Sequence, residues 1–505
     1  MQLPNPLIPG FNPDPSIVRV GQDYYLATST FEYLPGIPIY HSTNLLNWDL
    51  IGHVVTRPGQ LQVDGVPTAG GAWAPTIRYH DGLFYLAVTD AMGRGTLVFS
   101  ATNPAGPWSD GVLTEVPGID PDLAWDIDGN CYITYSGLIL KGEEFGTHKG
   151  IQQVKVDLAT GKNLSPVKDL WSGSGLMFPE APHLYQIGDY WYLMIAEGGT
   201  ERGHGVSIAR ATSPEGPFES GPNNPFLSAR STERPIQNTG HGDLVQLPDG
   251  SWVMVLLGMR TRGMTRAFSS LGRETFATNV TWVDGWPVAE PVHASDLVGT
   301  PEFIDDFSGT GLTSDGHGLE WVSVRRFPAQ VSTAANGILT IQGEGRDMSH
   351  VSPTFVGRRQ RRLTGIVVAA VRVFGAGGIT IRYDETAHYD LEIQGDKLVA
   401  RSVLSKLESQ IVSDSFSVGS AKHPDGSVHL FFEFVTPQGT FEAMQTSDYI
   451  NLGWIDPAGK KHVVTQFDGR YLSAEVTCSF TGRVIGVYSE NGHLEVLSYK
   501  EVASA

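Results

Sequence analysis

The chain has 505 residues, which is more than one ordinary hydrophobic core holds, and this length predicts two or three domains. Apolar residues make up 41% and charged residues 18%, a globular composition that argues against disorder. The formal net charge is −19, so the chain repels phosphate backbones and anionic membranes, and we expect no nucleic-acid partner. Frequent glycine (59) and proline (31) favour short strands and turns over long helices.

The cysteine content and the N-terminal residues indicate where the protein works. The sequence has two cysteines, Cys131 and Cys478, which are too few for a disulfide framework or a zinc cage. The first residues, MQLPNPLIPG, contain no basic leader, and no apolar run approaches the ~18 residues of a membrane span. We therefore expect a cytoplasmic protein with no membrane partner.

One pattern recurs five times in the first half of the chain: an apolar strand, a tight turn, and a second, mostly aromatic-rich strand. The five copies are DPSIVRVGQDYYLATS, APTIRYHDGLFYLAVT, DPDLAWDIDGNCYITY, APHLYQIGDYWYLMIA and GDLVQLPDGSWVMVLLG. In each copy, eight or nine positions separate the aliphatic residue of the first strand from its equivalent in the second. Asp-Gly and Gly-Asp between such runs are hairpin signals, because they supply the positive φ that tight turns need.

A further outer strand follows some of the copies, as in IPIYHSTNLLNW and VSIARATSPEGPF. Four strands per unit, repeated five times, predict a five-bladed β-propeller that ends near Val292, within a catalytic domain of residues 1–300. The alternative for this half is a two-sheet sandwich with similar hairpins.

The hairpin repeat ends before the polar linker HASDLVGTPEFIDDFSG, and a different residue pattern follows it. Alternating segments such as GILTIQGE, GIVVAAVRVFG and GGITIRYDE predict a second all-β domain, a jelly-roll-like β-sandwich over residues 301–505. A basic cluster within it contains Arg358, Arg359, Arg361 and Arg362. We interpret this cluster as a solvated strand edge or a domain contact rather than a nucleic-acid patch.

Carboxylates occur where the first strand of a blade would begin, facing the central channel of the propeller. The residues at these positions are Asp14, the Trp73–Ala74 pair, Asp120, Glu180 and His241. The repeat indicates that the three acids hold equivalent positions, and each lies beside a proline that restricts the backbone. Clustered acids shift one another's pKa values, which is typical of catalysis, and a pair of carboxyl groups suits glycosidic bond cleavage. The alternative is that the acids cap turns.

The motifs FNPDPSIVRVGQDYYLATSTFEY, GGAWAPTIRYHDG, GIDPDLAWDIDG, MFPEAPHLY, AEGGTERGHGVSIAR, TGHGDLV and LGRETF, in this order, resemble glycoside hydrolase family 43. Within it, the chain is similar to the two-domain β-xylosidases and α-L-arabinofuranosidases. The resemblance implies an inverting mechanism with Asp14 as general base, Glu180 as general acid and Asp120 as the modulator of the acid's pKa. We expect a raised pKa for Glu180, and a base-to-acid distance of about 6.5–9.5 Å that leaves room for water.

The same resemblance assigns substrate contacts. Phe31 and Trp73 would form aromatic walls around the terminal sugar, Arg273 would donate to sugar hydroxyls, and Phe480 would close the pocket from the C-terminal domain. Core packing is the alternative for Phe31, Trp73 and Phe480, and an ion pair with the neighbouring Glu274 is the alternative for Arg273.

His241 resembles a channel histidine that supports a hydrated divalent cation in some members of the family. We therefore expect no required cofactor, with a calcium ion in the channel as an alternative and a buried core histidine as the other.

These features predict an exo-acting, inverting glycosidase that releases a terminal pentose from xylo- or arabino-oligosaccharides. We favour a β-xylosidase with α-L-arabinofuranosidase activity, and α-L-arabinofuranosidase as the main activity is an alternative. A non-catalytic carbohydrate-binding propeller is the alternative from another class. The nucleophile motif of invertase-like enzymes, Asn-Asp-Pro-Asn-Gly, does not occur in the sequence. Similar two-domain enzymes are often tetrameric, so a homo-oligomer is an expectation from the resemblance.

Overall fold

Short strands joined by tight turns account for nearly all regular structure in the part of the chain that the computed structural model describes, residues 1–264, 268–295, 300–309, 312 and 318–503. The helices in these ranges are Pro328–Val331, Val418–Ala421, Thr440–Gln445 and Ala474–Thr477, with a 3-10 turn at Gly469–Tyr471. Within the same ranges, no helix is long and apolar enough to cross a membrane. The all-β prediction is confirmed.

Five antiparallel sheets follow one another in chain order and form the blades of a propeller. Blade 1 contains Ser16–Val20, Asp23–Ala27, Gly36–Ser42 and Asp49–Val55. Blade 2 contains Gly71–His80, Leu83–Ala91, Gly95–Ala101 and Val112–Leu113. Blade 3 contains Ile119–Trp125, Cys131–Leu138, His148–Lys155 and Lys168–Trp171. Blade 4 contains Glu180–Ile187, Tyr190–Glu197, Gly205–Ala211, Glu219–Ser220 and Leu227–Ser228. Blade 5 contains Ile236–Gln246, Trp252–Arg260, Glu274–Val283 and Trp286–Ala289.

The two innermost strands of every blade are the predicted hairpin. The repeated aliphatic residues face each other across it, in the pairs Ile17 with Leu26, Ile77 with Leu86, Leu123 with Ile133, Leu184 with Leu193, and Leu244 with Met254. All ten side chains are buried, so the repeat that is visible in the sequence is the apolar core of the blades. The five-bladed propeller is confirmed, and the two-sheet alternative for this half is wrong.

Near the start of each innermost strand, one residue at an equivalent position lies in the left-handed backbone region. These residues are Asp14, Ala74, Asp120, Ala181 and His241, with φ between 44° and 55°. In blades 2 to 5 the strand register breaks at the same place, as a β-bulge does when it re-aims a side chain. Asp14 and Asp120 are themselves left-handed, whereas Glu180 precedes the left-handed Ala181 by one residue. The three acids were expected to hold equivalent positions in the repeat, and this expectation is wrong by one residue for Glu180. Glu180 precedes the left-handed residue of its blade, as Trp73 precedes Ala74 in blade 2.

A closed ring of polar contacts joins neighbouring blades around the central axis, and the sequence interpretation did not include it. The contacts are Ile77 N to Ser16 Oγ (3.1 Å), Arg78 Nη2 to Asp122 Oδ1 (2.7 Å), Leu184 N to Asp122 Oδ2 (2.8 Å), Leu244 N to Tyr185 Oη (3.0 Å) and Ile17 N to Asp243 Oδ2 (3.0 Å). Buried polar groups are stabilising when their partners are present, so this ring fixes the positions from which the strand starts face the channel.

Twelve strands form the main sheet of the second domain within its described residues. They are Phe303–Asp305, Ser332–Ala335, Ile338–Gln342, Phe355–Arg359, Gly365–Asp384, Ala387–Gln394, Lys397–Leu404, Leu407–Val412, Val428–Val435, Tyr449–Ile455, Lys461–Asp468 and Val484–Val502. The long strand Gly365–Asp384 pairs with Val428–Val435 along its first half and with Ala387–Gln394 along its second. It therefore passes from one layer to the other, and the predicted β-sandwich is confirmed. The predicted boundary at residue 300 lies between Ala289, which ends blade 5, and Phe303.

The two domains share a sheet and an apolar core. Tyr33–Leu34 of the propeller pairs antiparallel with Ser323–Val324 of the second domain. Beside this sheet, one buried cluster combines residues of both domains: Phe11, Phe31, Tyr33, Ala69, Val322, Val324, Met348, Phe355, Val484 and Tyr488. Because Phe31 belongs to this cluster, the domain contact lies directly behind a residue that was predicted to bind substrate.

The basic cluster of the second domain is part of the same contact. Arg358 and Arg359 are buried, and the Arg359 guanidinium lies 5.5 Å from the centre of the Phe11 ring of the propeller. Arg358 forms ion pairs with Glu501, at 2.7 Å, and with Glu320. The interpretation as a domain contact is thus supported for Arg359, whereas Arg358 is buried within the second domain, and a solvated strand edge is wrong for these two arginines.

Candidate active site

A cavity of about 280 Å³ lies at the end of the channel where the innermost strands begin. All eight predicted site residues line it: Asp14, Phe31, Trp73, Asp120, Glu180, His241, Arg273 and Phe480. Seven come from the propeller and Phe480 comes from the second domain. The fold therefore brings together residues that are up to 466 positions apart in the sequence.

Asp14 is held as an ionised carboxylate. Its Oδ2 atom accepts a hydrogen bond from Ser29 Oγ at 2.6 Å, and its Oδ1 atom accepts one from Arg273 Nη1 at 3.0 Å. The Nδ1 atom of His241 lies 3.6 Å from the same Oδ1. Burial opposes the charged form, but Arg273, His241 and Ser29 together hold the pKa of Asp14 below its ordinary value.

Asp120 and Glu180 are shifted in the opposite direction. Burial, and then the charge of Asp14, raises the pKa of Asp120 to about 7, although its Oδ2 accepts a hydrogen bond from Ala181 N at 3.0 Å. Burial, followed by the charges of Asp120 and Asp14, raises the pKa of Glu180 to about 8 despite the nearby Arg273. One cavity thus contains a carboxylate that stays ionised and a carboxylic acid that keeps its proton at neutral pH.

Arg273 connects this acidic group to the wall of the cavity. Besides Asp14, its guanidinium donates to Thr200 Oγ1 at 3.2 Å and to the backbone oxygen of Phe480 at 3.3 Å. The neighbouring Glu274 pairs with Arg260 instead, at 2.7 Å. The alternative of an Arg273–Glu274 ion pair is therefore wrong.

Three aromatic rings form one wall of the cavity. Phe480 stacks on Phe31 with ring centres 6.2 Å apart and planes 13° apart, and Trp73 meets Phe480 edge-on at 6.2 Å. The Phe31 side chain is 2% exposed, so it packs in the core between the domains and also faces the cavity. Phe480 is 39% exposed. The alternative of a buried sandwich phenylalanine is therefore wrong for Phe480.

Both domains hold the loop that orients Trp73. The indole Nε1 of Trp73 donates to Ala69 O at 2.6 Å, and Ala69 N donates to the buried Glu32 at 3.1 Å. The adjacent Thr68 hydroxyl donates to Glu385 of the second domain. The position of Trp73 thus depends on the packing of the sandwich against the propeller.

Sequence reasoning missed several residues that line the cavity. They are Leu138, Phe178, Gly199, Thr200, Glu201 and His204, together with Ile119 and Ala196. Most of the polar ones lie in the segment TERGH, which follows Gly199 directly and belongs to a motif that carried the family resemblance. Phe178 was detectable in the same way, because it precedes Glu180 by two residues.

The described channel residues provide no set of protein ligands for a calcium ion that would be coordinated directly beside His241. Calcium takes six to eight oxygen ligands, usually with several carboxylates. The ring centre of His241 lies 6.5 Å from that of His183, and beyond it Arg78 pairs with Asp122 at 2.7 Å and with Asp243 at 2.8 Å. Arginine already neutralises these carboxylates, and no group of three or more His, Cys, Asp or Glu side chains in the described ranges could hold a metal ion.

Comparison with known proteins agrees with this site. Residues 3–287 match the model of glycosyl hydrolases family 43, and residues 305–497 match the model of the beta xylosidase C-terminal concanavalin A-like domain. The chain is 37% identical to the non-reducing end alpha-L-arabinofuranosidase BoGH43B of Bacteroides ovatus, over 97% of this chain and 91% of that protein. It is 40% identical to a xylosidase/arabinosidase of Butyrivibrio fibrisolvens, over 57% of this chain and 56% of that protein.

A solved structure shows the same two-domain arrangement. The xylan beta-1,4-xylosidase of Bacillus halodurans C-125 matches with a TM-score of 0.87 at 28% identity, and the match covers 99% of this chain and 100% of that one. The family model covers more than half of the chain, and the propeller with its acidic cavity is consistent with it. The chain belongs to glycosyl hydrolases family 43.

Proposed function

We propose that the protein is an exo-acting, inverting glycosidase that releases a terminal pentose from short xylo- or arabino-oligosaccharides. One observation carries this proposal: in a single cavity the pKa of Asp14 is lowered while that of Glu180 is raised to about 8. Two carboxyl groups whose pKa values are driven apart provide the base and the acid that hydrolysis of a glycosidic bond requires.

The proposed reaction uses both groups in one step. Ionised Asp14 accepts a proton from water as the water oxygen bonds to the anomeric carbon, on the face opposite the leaving group. Protonated Glu180 donates its proton to the leaving oxygen as the glycosidic bond breaks. Burial of Glu180, followed by the charges of Asp120 and Asp14, disfavours the ionised form of Glu180 and keeps the acid protonated. Proton exchange with solvent then restores Asp14 and Glu180.

The aromatic wall and the small volume of the cavity support cleavage at the end of an oligosaccharide rather than within it. The wall of Phe31, Trp73 and Phe480 combines both domains, and aromatic rings of this kind pack against the C–H faces of a sugar. A volume of about 280 Å³ is just below the roughly 300–1,000 Å³ of typical ligand sites. A cavity of this size suits one terminal sugar rather than the interior of a polymer.

The terminal sugar is tested with two nitrophenyl glycosides, of β-D-xylopyranose and of α-L-arabinofuranose. Relatives carry both activities in their names, so we expect hydrolysis of both substrates and favour the xyloside. A larger kcat/KM for the arabinofuranoside would make α-L-arabinofuranosidase the main activity. If the wild-type protein hydrolyses neither but binds xylobiose, the non-catalytic alternative is favoured.

Replacing Phe480 with alanine is expected to lower kcat/KM for xylobiose roughly thirtyfold, chiefly by raising KM. The ring contributes contact area to the terminal sugar, and its loss also exposes Phe31 and Arg273 to water. Because Phe480 is 39% exposed, the melting temperature should stay within a few degrees of the wild-type value. Steady-state kinetics and a thermal melt measure both effects.

The matched control for that variant is Phe441→Ala, since Phe441 is an exposed phenylalanine of the same domain that does not line the cavity. Its kinetics should equal those of the wild type. An unfolded Phe480→Ala protein, or one with an unchanged KM, would contradict a role for Phe480 in substrate binding.

A further inference from the structure

We infer that Phe178 and Glu201, named here the rim cluster, bind the leaving-group sugar and favour a neutral one over one that carries a carboxylate. The inference rests on the proposed function, because it takes Glu180 as the acid that protonates the leaving oxygen. It adds specificity-determining residues to that reaction.

The rim cluster lies at the open end of the cavity. It lines the same space as the three acids, but the Phe178 side chain is 43% exposed and Glu201 is exposed, whereas Asp14 and Asp120 are buried. Phe178 precedes Glu180 by two residues on the same strand start. A sugar attached to the oxygen that Glu180 protonates would therefore leave the buried end and meet this rim.

The backbone around Phe178 is fixed on both sides. Gly198 N donates to Met177 O at 2.7 Å, and Ser136 Oγ donates to Pro179 O at 3.2 Å. Phe178 itself has a φ of 54°, in the left-handed region that a bulky residue occupies at an energetic cost. These two hydrogen bonds fix the backbone on either side of Phe178, and the ring itself meets the His148 ring edge-on, with ring centres 6.3 Å apart. The ring therefore has a neighbour that restricts its orientation, as a binding platform requires.

Phe178 and Glu201 converge over one glycine. A Cβ atom built on Gly199 would lie 2.7 Å from Glu201 Oε2 and 3.7 Å from Phe178 Cδ2. The carboxylate and the ring edge are thus close enough for one sugar to contact both. Its apolar face would pack on Phe178 while its hydroxyls donate to Glu201.

The charges near the rim explain the preference for a neutral sugar. Arg273 lines the cavity as a cation, but it pairs with Asp14. Glu201 lines the same cavity as Glu180 and is the last of the causes that raise the pKa of Glu180, so a second carboxylate at the rim would meet the charge of Glu201. In a chain with a net charge of −19, a carboxylate on the leaving sugar would face repulsion without a free cation among the described cavity residues.

Two substrates with the same glycosidic bond test the charge preference. They are xylobiose and xylobionate, in which the reducing end is oxidised to a carboxylate. We expect the wild type to prefer xylobiose by about tenfold in kcat/KM, and the preference should shrink when salt is raised. Glu201→Gln should remove most of this preference, because the lost hydroxyl contact lowers kcat/KM for both substrates whereas the lost charge favours only xylobionate. Equal preference in the wild type and Glu201→Gln would overturn the role of Glu201.

The ring is tested with Phe178→Gly, because glycine adopts the left-handed φ without strain and the variant should fold. We expect kcat/KM for xylobiose to fall about tenfold, while the inhibition constant of free D-xylose, which fills the terminal-sugar end, stays unchanged. Phe178→Tyr retains the ring and should restore the activity. Unchanged kinetics with xylobiose, or an equal loss of xylose binding, would overturn the platform.

The failure of this inference is distinguishable from that of the proposed function. A wild-type protein that hydrolyses neither xylobiose nor the nitrophenyl glycosides would overturn the proposed function and this inference with it. A protein that hydrolyses xylobiose, with a rim cluster whose variants change nothing, would overturn this inference alone.

Discussion

Glu180→Ala is expected to lower kcat/KM for xylobiose by about 10³-fold, within the roughly 10²–10⁴ that a positioned general acid contributes. The leaving group of xylobiose is a sugar alkoxide, which departs slowly unless it is protonated. Nitrophenolate is a stable anion, so the nitrophenyl xyloside needs little help from an acid. The loss with that substrate should therefore be at least tenfold smaller.

The pH dependence provides a second measurement of the same role. Glu180 acts in its protonated form, and burial together with Asp120 and Asp14 raises its pKa to about 8. Activity with xylobiose is thus present below about pH 8 and is lost as the pH rises through that value. In Glu180→Ala this alkaline limb should disappear.

Glu219→Ala is the matched control, since Glu219 is an exposed glutamate on an outer strand of the same blade. It should behave as the wild type with both substrates. An equal loss on xylobiose and on the nitrophenyl glycoside in Glu180→Ala would contradict the assignment of Glu180 as general acid.

The sequence predicted the blades well because their signals are local. The turn residues and the aliphatic pairs of each hairpin lie within about sixteen residues, as between Ile17 and Leu26. The offset of Glu180 was not predictable in this way. It depends on whether the left-handed residue is the acid itself, as in Asp14, or the alanine that follows it, as in Ala181, and the same Pro-rich signature fits both.

A repeated polar residue in the sequence indicates the polar ring around the channel axis. In every repeat the residue before the first-strand aliphatic is polar, and these residues are Ser16, Thr76, Asp122, His183 and Asp243. A strand that is buried on both faces should be apolar there, so the pattern indicates a buried polar contact. Which partner each residue meets depends on the next blade, which local sequence does not specify.

The location of Phe480 depends on the contact between the domains. The pairing of Tyr33–Leu34 with Ser323–Val324 and the mixed apolar cluster bring the second domain against the propeller. Such contacts join residues hundreds of positions apart, so the spacing of apolar residues along the sequence does not predict them. The family resemblance, not the composition or spacing, predicted that Phe480 would reach the pocket.

Asp14→Asn is expected to lower kcat/KM by at least about 10³-fold with xylobiose and with the nitrophenyl xyloside alike. Every substrate needs an activated water, whatever its leaving group, so the two losses should be similar. This equality distinguishes the base from the acid, whose removal depends on the leaving group. Asparagine preserves the size of the side chain and an oxygen for Arg273, so the fold should persist.

Ser29→Ala and the configuration of the product complete the test of Asp14. Ser29 donates to Asp14 Oδ2 at 2.6 Å and helps to lower its pKa, so Ser29→Ala should move the acidic limb of kcat/KM to higher pH without abolishing activity. Proton NMR of the wild-type reaction should show α-D-xylose first from the β-linked substrate, because water attacks opposite the leaving group. Release of β-D-xylose first would require a covalent intermediate, and Asp14 would then be a nucleophile rather than the base that activates water.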